Sequence, residues 1–513
     1  MTWIPWLAAA APLAYLAAAI APERAFPILR TSRLAGWASL GGAALGLWQS
    51  AFIGAARTPL AGLAGLGLAE RIDLLSAVFC GLIAFIGLIV VAYSRNYLDG
   101  DRRQGRFVRD LCLTLGFVQG LALSDNLAQL VLCWIGVGVC VNRLLLFRAE
   151  RQAAVLAARK RFLVSRLAEA CLVAACVCLW RATGGADIGA ILASAHGARV
   201  ADWGAAPLLL AMAAILSSAQ VPVHGWILEV METPTPVSAL LHAGVVNAGG
   251  FLLLRFGAVM VNSPGAMGLL TLIGALTAIF GSLAMLPQTS VKVRLAYSTI
   301  AQMGFMVLEC GLGAFGAALL HIVAHALYKA HAFLTAGTIA RAKPQFVVPR
   351  AAPFLTTLAL PATVALGAWA ATALGVGPTQ QPGAFLLGGV LFLGLARIWL
   401  SRDAARAPAV IVAGSLLVVV AFAAGHVLFA GIVDARAVQP TGPTTAVAGL
   451  VLGLMTALVC VQLHLPGPAH SRLWASAYTL ASNGFYLNTM ANRWVLRLWP
   501  TPHLNPTQTG AVP

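Results

Sequence analysis

Apolar residues fill this chain in runs of about 20, the length a helix needs to cross the hydrocarbon core of a bilayer, separated by short polar breaks. Such windows lie near 3–21, 34–54, 72–93, 107–124, 126–147, 160–181, 205–228, 236–260, 266–286, 291–311, 312–340, 352–376, 384–400, 408–430 and 443–464. The windows 205–228 and 312–340 are irregular or overlong for a straight span. The pattern predicts an all-α polytopic membrane bundle of about 15 helices, one integral domain over 1–466. From His470 to Pro500 the chain turns basic and amphipathic, so 467–513 reads as an interfacial tail. The first run, Thr2 to Ala21, has no basic leader and no A-x-A site, and reads as a retained span.

Composition sharpens this picture. Hydrophobic residues make up 60% of the chain and charged ones only 10%, which excludes a soluble protein. The net charge of +17 raises the question of nucleic acid, but its distribution answers it. Lys and Arg gather in alternate loops, with only Arg57, Arg71, Arg181, Arg199 and Arg436 in the others. By the positive-inside rule the N-terminus is outside and the C-terminus cytoplasmic. The nine cysteines lie mostly within apolar runs and read as small buried hydrophobes. They form no C-x-x-C pair with partner ligands, so no metal site or disulfide is expected. No P-loop, dinucleotide fingerprint or HExxH pattern is present, so the sequence supports neither nucleotide-driven nor hydrolytic chemistry.

The chemistry concentrates between Ser218 and Phe256, SAQVPVHGWILEVMETPTPVSALLHAGVVNAGGFLLLRF. This stretch is apolar enough for a bilayer, yet Pro222, Gly225, Pro234 and Pro236 break its helix. Broken helix at membrane depth is tolerated where it is buried in protein or lines a wet cavity. His242 follows the break, one and a half turns into a helix that Thr233 or Thr235 could cap. Glu232 lies at the break itself and Glu229 one turn earlier. Glu232 is a candidate proton entry, with a capping role as the alternative; Glu229 reads as part of a solvated face.

Further along, His321, His325 and Lys329 recur at i, i+4 and i+8, forming one stripe down a helix. A buried lysine can exchange a proton near neutral pH, and imidazoles one turn apart can pass it on. The plain alternative is hydrogen-bonded packing histidines with a snorkelling lysine. His331 is about 200° from Lys329 around the helix and faces elsewhere. Lys292 and Arg294 open the window 291–311 as conduction residues or as orientation charge. Arg255 and Glu309 end their windows as gates or anchors. The basic run from Arg148 to Arg161 reads as orientation charge and a docking surface.

These blocks resemble a known family. AQVPVHGWILEVMETPTPVSALLHAG, LAYSTIAQMGFMVL and HIVAHALYKAHAFLTAG are similar to the proton-translocating antiporter-like subunits of respiratory complex I and of the multisubunit cation/proton antiporters, over a core of roughly 70–345. HGW after the break, the unbroken METPTPVSALLHAGVVNAGG, the extra His331 and the tail NGFYLNTMANRWVLRLWP resemble one branch, the DabB membrane subunits of inorganic-carbon accumulation complexes. The resemblance implies inverted repeats around a discontinuous seventh helix. It also implies a DabA-like zinc protein as partner, with zinc there and no cofactor in this chain, and a bacterial inner-membrane location.

Two positions depart from the antiporter pattern. The fifth-span Glu that follows a Trp is Ile135 here, after Trp134, and the seventh-span Lys is Ser217. Glu169, in SRLAEACL, occupies a place where the family carries an acidic residue. It is the candidate to replace the missing carboxylate, with an ion pair to Arg166 at i−3 as the plain alternative. The expected function is therefore a proton- or Na+-conducting subunit of a CO2/bicarbonate uptake complex, not an enzyme. Rival readings are a cation/proton antiporter or complex I-type pump subunit, and a non-conducting membrane scaffold for a soluble enzyme.

Overall fold

The computed structural model describes residues 4–23, 25–195, 203–339, 381–399, 408–430, 442–464 and 472–500, with a few single residues between these stretches. Helices dominate throughout. The first five long ones are α1 (Ile4–Ile20), α2 (Ala25–Phe52), α3 (Leu74–Tyr97), α4 (Gln104–Leu123) and α5 (Leu127–Leu145). They are followed by α6 (Gln152–Thr183) and the short α7 (Ile188–Ala195). Start and stop signals are local and clear. Asp73 caps α3 in a reciprocal box with Ser76, Asn126 caps α5, and α6 ends at Gly184 in the left-handed conformation, as the capping rules require.

The window 205–228 resolves into α8 (Ala206–Ser217), a non-helical break, and α9 (Gly225–Glu229) with a 3-10 turn at Val230–Glu232. The second half restarts as α10 (Thr235–Ala243). Its cap position is Pro234, with no side-chain cap bond, so neither Thr233 nor Thr235 has the capping role expected of it. Thr233 instead donates to the Val230 carbonyl behind it at 2.6 Å. A further interruption was not anticipated. A 3-10 turn at Val245–Asn247 separates α10 from α11 (Ala248–Arg255), and α12 (Gly257–Met260) follows. By contrast the overlong window 312–340 is regular, as α15 (Phe315–Leu334) with a short α16 (Ala336–Ile339).

Around these lie α13 (Pro264–Met285), α14 (Val291–Gly311), α17 (Pro382–Trp399), α18 (Pro408–Ala430) and α19 (Gly442–His464). A terminal hairpin, α20 (Arg472–Ser482) and α21 (Leu487–Leu498), closes the order. The predicted span 352–376 lies outside the described residues. The all-α membrane architecture holds, but the count of fifteen spans is not confirmed. Among the described residues seven helices are long and apolar enough to cross a membrane. Among the described residues the paired strands lie in the loop between α2 and α3, where β1 (Ala56–Arg57) pairs with β4 (Arg71–Ile72) and β2 (Ala61–Leu63) with β3 (Leu66–Leu68), both antiparallel.

One continuous apolar core joins α1 to α15, and a second, smaller cluster joins α13 and α14 to α17 and α19. The segment Thr235–Arg255 is buried along its whole length, so no part of it faces lipid. Beside it, α13 and α14 make the most extensive helix pair. Small residues let two membrane helices approach to backbone contact, where dispersion and lipid release hold them. A Cβ at Gly304 of α14 would sit 2.5 Å from the Ala278 nitrogen. Gly304→Val is therefore expected to cost about 1–3 kcal/mol of overpacking, read as a lower thermal midpoint in detergent. Gly268→Val, on an open face of α13 with nothing within 4 Å, should leave the midpoint unchanged.

Candidate functional site

Three helices, α10, α14 and α15, bring the predicted stripe together. Lys329 is fully buried, and its Nζ donates to the Leu295 carbonyl of α14 at 3.0 Å. Thr299, one turn on, donates its hydroxyl to the same carbonyl at 3.1 Å. His242 of α10 meets that hydroxyl through Nδ1 at 3.0 Å and stacks on Phe333 at 4.3 Å. Since the Thr299 proton goes to Leu295, His242 donates from Nδ1 and its Nε2 is left as a bare acceptor. That Nε2 is buried and has no partner.

The same arrangement repeats further along α15. His321 Nδ1 lies 3.0 Å from Oε2 of Glu309, which is wholly buried. A carboxylate accepts, so His321 again leaves Nε2 open. His325 stands between the two, 6.1 Å ring to ring from His321, with its own Nε2 buried and unpartnered. The row Glu309, His321, His325, His242, Thr299, Lys329 therefore presents a series of proton acceptors inside the bundle. The sequence placed Glu309 at a helix end without a partner; its fixed place beside His321 is visible only in three dimensions.

A second polar site lies between α5, α6 and α8. It surrounds a cavity of about 20 Å³, the size of one water, lined among others by Trp134, Gly138, Arg161, Ser165, Glu169 and Ser217. Glu169 pairs with Arg166 at 2.6 Å yet also faces this cavity. A Cβ at Gly138 would stand 2.9 Å from its Oε1, so the glycine makes room for the carboxylate. Arg161 Nε and Ser165 Oγ are buried without partners. Arg161, Ser165 and Glu169 are spaced i, i+4 and i+8, one stripe of α6. The cavity also meets Ser217 and Trp134, the neighbour of Ile135. The sequence assigned Arg161 to a docking surface; it is buried instead and covers the Trp226 ring at 4.5 Å.

The helix break forms a third cluster. Glu229, expected on a solvated face, is largely buried and pairs with Lys160 at 2.5 Å. Lys160 also donates to Asn488 Oδ1 of α21 at 2.7 Å. Neither Lys160 nor Asn488 stood out in the sequence, one hidden in a basic run and the other in a tail about 330 residues later. Pro222 lies within the break, Gly225 opens α9 after it, and Pro234 and Pro236 mark the restart at α10. Lys292 reaches Thr235 at the start of α10 at 3.3 Å, away from Lys329's carbonyl. His331 is exposed and joins none of these clusters. The Glu232 side chain lies outside the described residues. No three His, Cys, Asp or Glu side chains gather as a metal site among the described residues.

Comparison with known proteins bears on this geometry. The family profile "NADH:quinone oxidoreductase/Mrp antiporter, TM" matches residues 124–379, and a profile of the N-terminus of complex I chain 5 matches 63–108. A protein of Halothiobacillus neapolitanus named "Probable inorganic carbon transporter subunit DabB2" is 37% identical over 472 residues, 88% of this chain and 84% of its own length. The chain belongs to the DabB family. A Hydrogenovibrio crunogenus protein named "Probable inorganic carbon transporter subunit DabB" is 44% identical over 299 residues, 57% of this chain and 58% of that protein. Two solved structures share the fold. The Mrp complex from Dietzia sp. DQ12-45-1b gives a TM-score of 0.55 at 24% identity, over 99% of this chain and 57% of that one. The membrane-bound sulfane sulfur reductase, an archaeal respiratory membrane complex, gives 0.59 at 16% identity, over 96% and 97%.

At the opposite end of α11 from α10, this DabB-family chain carries a charged lattice at the ends of its helices. Arg255 Nη1 meets Asp73 at 2.5 Å, and Arg71 meets the same carboxylate at 2.7 Å. The Ser76 amide donates to the same carboxylate at 2.9 Å. Arg255 is thus an anchor between α3 and α11. Glu70 has no such cation, and burial pushes its carboxyl up to about 8. Between the ordinary carboxylate range and that value, the folded chain keeps a proton that the unfolded chain releases. Stability is therefore expected to fall as pH rises through that window and to level off above it. Thermal midpoints measured from pH 4.5 to 9 should lose this decline in Glu70→Gln.

Proposed function

We propose that this chain is the proton-conducting membrane subunit of an energy-coupled inorganic-carbon uptake complex in a bacterial inner membrane. The observation that carries the reading is the buried row of titratable groups from Glu309 to Lys329 with three imidazole nitrogens left open. Ionisable groups at such depth are costly and persist where they move or bind charge. A proton suits this row better than Na+. Imidazoles and an amine can each take up and release a proton, whereas Na+ needs a cage of oxygens, and the row holds a single carboxylate. The names of the relatives, inorganic carbon transporter subunits, support the substrate class. In this reading the chain does no covalent chemistry. It energises a DabA-like zinc partner docked on the cytoplasmic side, where the positive-inside rule puts the C-terminus.

Glu169 and Arg161 take over the place of the antiporter pair. Both charges sit on α6 and face Ser217 across a one-water cavity, so the site retains a carboxylate and a cation although Ile135 and Ser217 are neutral. Glu169→Gln keeps volume and hydrogen bonding but cannot ionise. It is expected to reduce CO2-limited growth and vesicle proton uptake about as severely as loss of Lys329. Activity at the wild-type level would make Glu169 a plain partner of Arg166.

Lys329→Ala is expected to bring low-CO2 growth down to the level of a strain lacking the gene, with the complex still assembled on a sizing column. Lys329→Arg should fail as well, since guanidinium holds its proton at any physiological pH. A non-conducting scaffold would tolerate both changes, and normal function in the Arg variant would make Lys329 a fixed charge.

A further inference from the structure

The terminal hairpin is built into the broken helix. Between α20 and α21 the chain turns through Gly484, Phe485 and Tyr486, all with positive φ of 53–57°, a conformation costly for the two aromatic residues. Such strain persists where surrounding contacts hold it. Here Phe485 packs on Phe280 of α13 at 5.6 Å, and Phe280 in turn lies 4.7 Å from His224 in the break. Gln288 at the end of α13 donates to the Ser482 carbonyl at 3.1 Å. At the far end of α21, Arg159 donates to the Trp499 carbonyl at 2.7 Å and covers its ring at 4.9 Å. The hairpin is therefore fastened at both ends, to α13 and to α6.

Its middle reaches the charged pair. Asn488 accepts from Lys160 at 2.7 Å and donates to Glu229 at 3.3 Å, so one amide ties both partners. Gly225 lies directly beneath, and a side chain there would collide with the Asn488 oxygen. One oxygen of Glu229 and both ring nitrogens of His224 are buried nearby without partners. Polar atoms buried and unsatisfied at a helix break need water or a moving ion to complete them. Trp226, next to Gly225, lies under Arg161, and Arg161 lines the cavity beside Glu169.

We propose that the C-terminal hairpin is the gate of the ion path at this end, with Asn488 as the positioning residue that holds Lys160 and Glu229 shut. The inference rests on the reading of this chain as a proton conductor. When α21 withdraws, Lys160 and Glu229 lose their common partner, Gly225 is uncovered, and water can reach the break. A partner bound to the hairpin would then couple its own state to ion entry.

The test uses the chain with the partner that co-purifies, reconstituted in vesicles with an internal pH dye and driven by a potassium diffusion potential. Asn488→Leu removes both hydrogen bonds to charged groups and should raise resting proton flux about tenfold. In a second variant, Gln288→Cys with Ser482→Cys, joining the two thiols with a short bifunctional reagent should stop the flux, and cleaving the link should restore it. Wild-type flux in Asn488→Leu, or full flux through the cross-linked hairpin, would overturn the gate. The cross-link keeps the test decisive even where the Leu variant loosens the hairpin altogether. If wild-type flux does not change in Lys329→Ala, the underlying reading fails too. If it depends on Lys329 yet ignores the hairpin, only the gate is lost.

Discussion

Burying the Lys329 ammonium governs much of this architecture. Among the described residues no carboxylate pairs with it, and its one hydrogen bond goes to the Leu295 carbonyl. A charge at that depth must be met by dipoles held in place, because water cannot follow it freely. Leu295 can serve because α14 is fixed against α13 by backbone-close packing at Gly304. The same carbonyl takes the Thr299 hydroxyl and so sets the direction of the His242 hydrogen bond. A single oxygen thus fixes the amine, the hydroxyl and the imidazole.

The helix breaks follow from the same constraint. Straight helices commit their amides and most of their carbonyl capacity to one another, and a break frees these groups. Here the chain breaks after Ser217, at Pro234 and again at Val245–Asn247. Each break lies beside one of the polar sites: the one-water cavity, the Lys160–Glu229 pair and the base of the His242 helix. The full burial of Thr235–Arg255 keeps these freed backbone groups away from lipid, where each would cost several kcal/mol.

Charge placement on α6 shapes the second polar site. The site's carboxylate is Glu169 and its cation Arg161, whereas Ile135 and Ser217 are neutral. Both groups stand on one helix, so their separation is fixed by helical rise rather than by packing between helices. Gly138 opposite leaves the carboxylate room. On the outer face of the hairpin, Tyr486, Met490, Trp494 and Leu498 remain exposed at a spacing of four, whereas Asn488 turns inward. The tail is therefore more than an interfacial float.

The sequence alone determined the membrane class, the helical architecture and the location of the broken segment, because bilayer thickness and backbone hydrogen bonding leave few options for apolar runs and prolines. It also identified Lys329, His325, His321 and His242, since polar residues at helical spacing in an apolar run have few bland explanations. The tertiary structure decided the rest. Glu309 and Thr299 became members of the row only through contacts between helices that hydropathy does not encode. Lys160 and Arg161 read as orientation charge, because a basic run looks the same whether it is solvated or turned inward. Asn488 carried no signal in the sequence. A neutral amide becomes part of a charged site only when a distant segment folds back onto it, and sequence distance holds no record of that return.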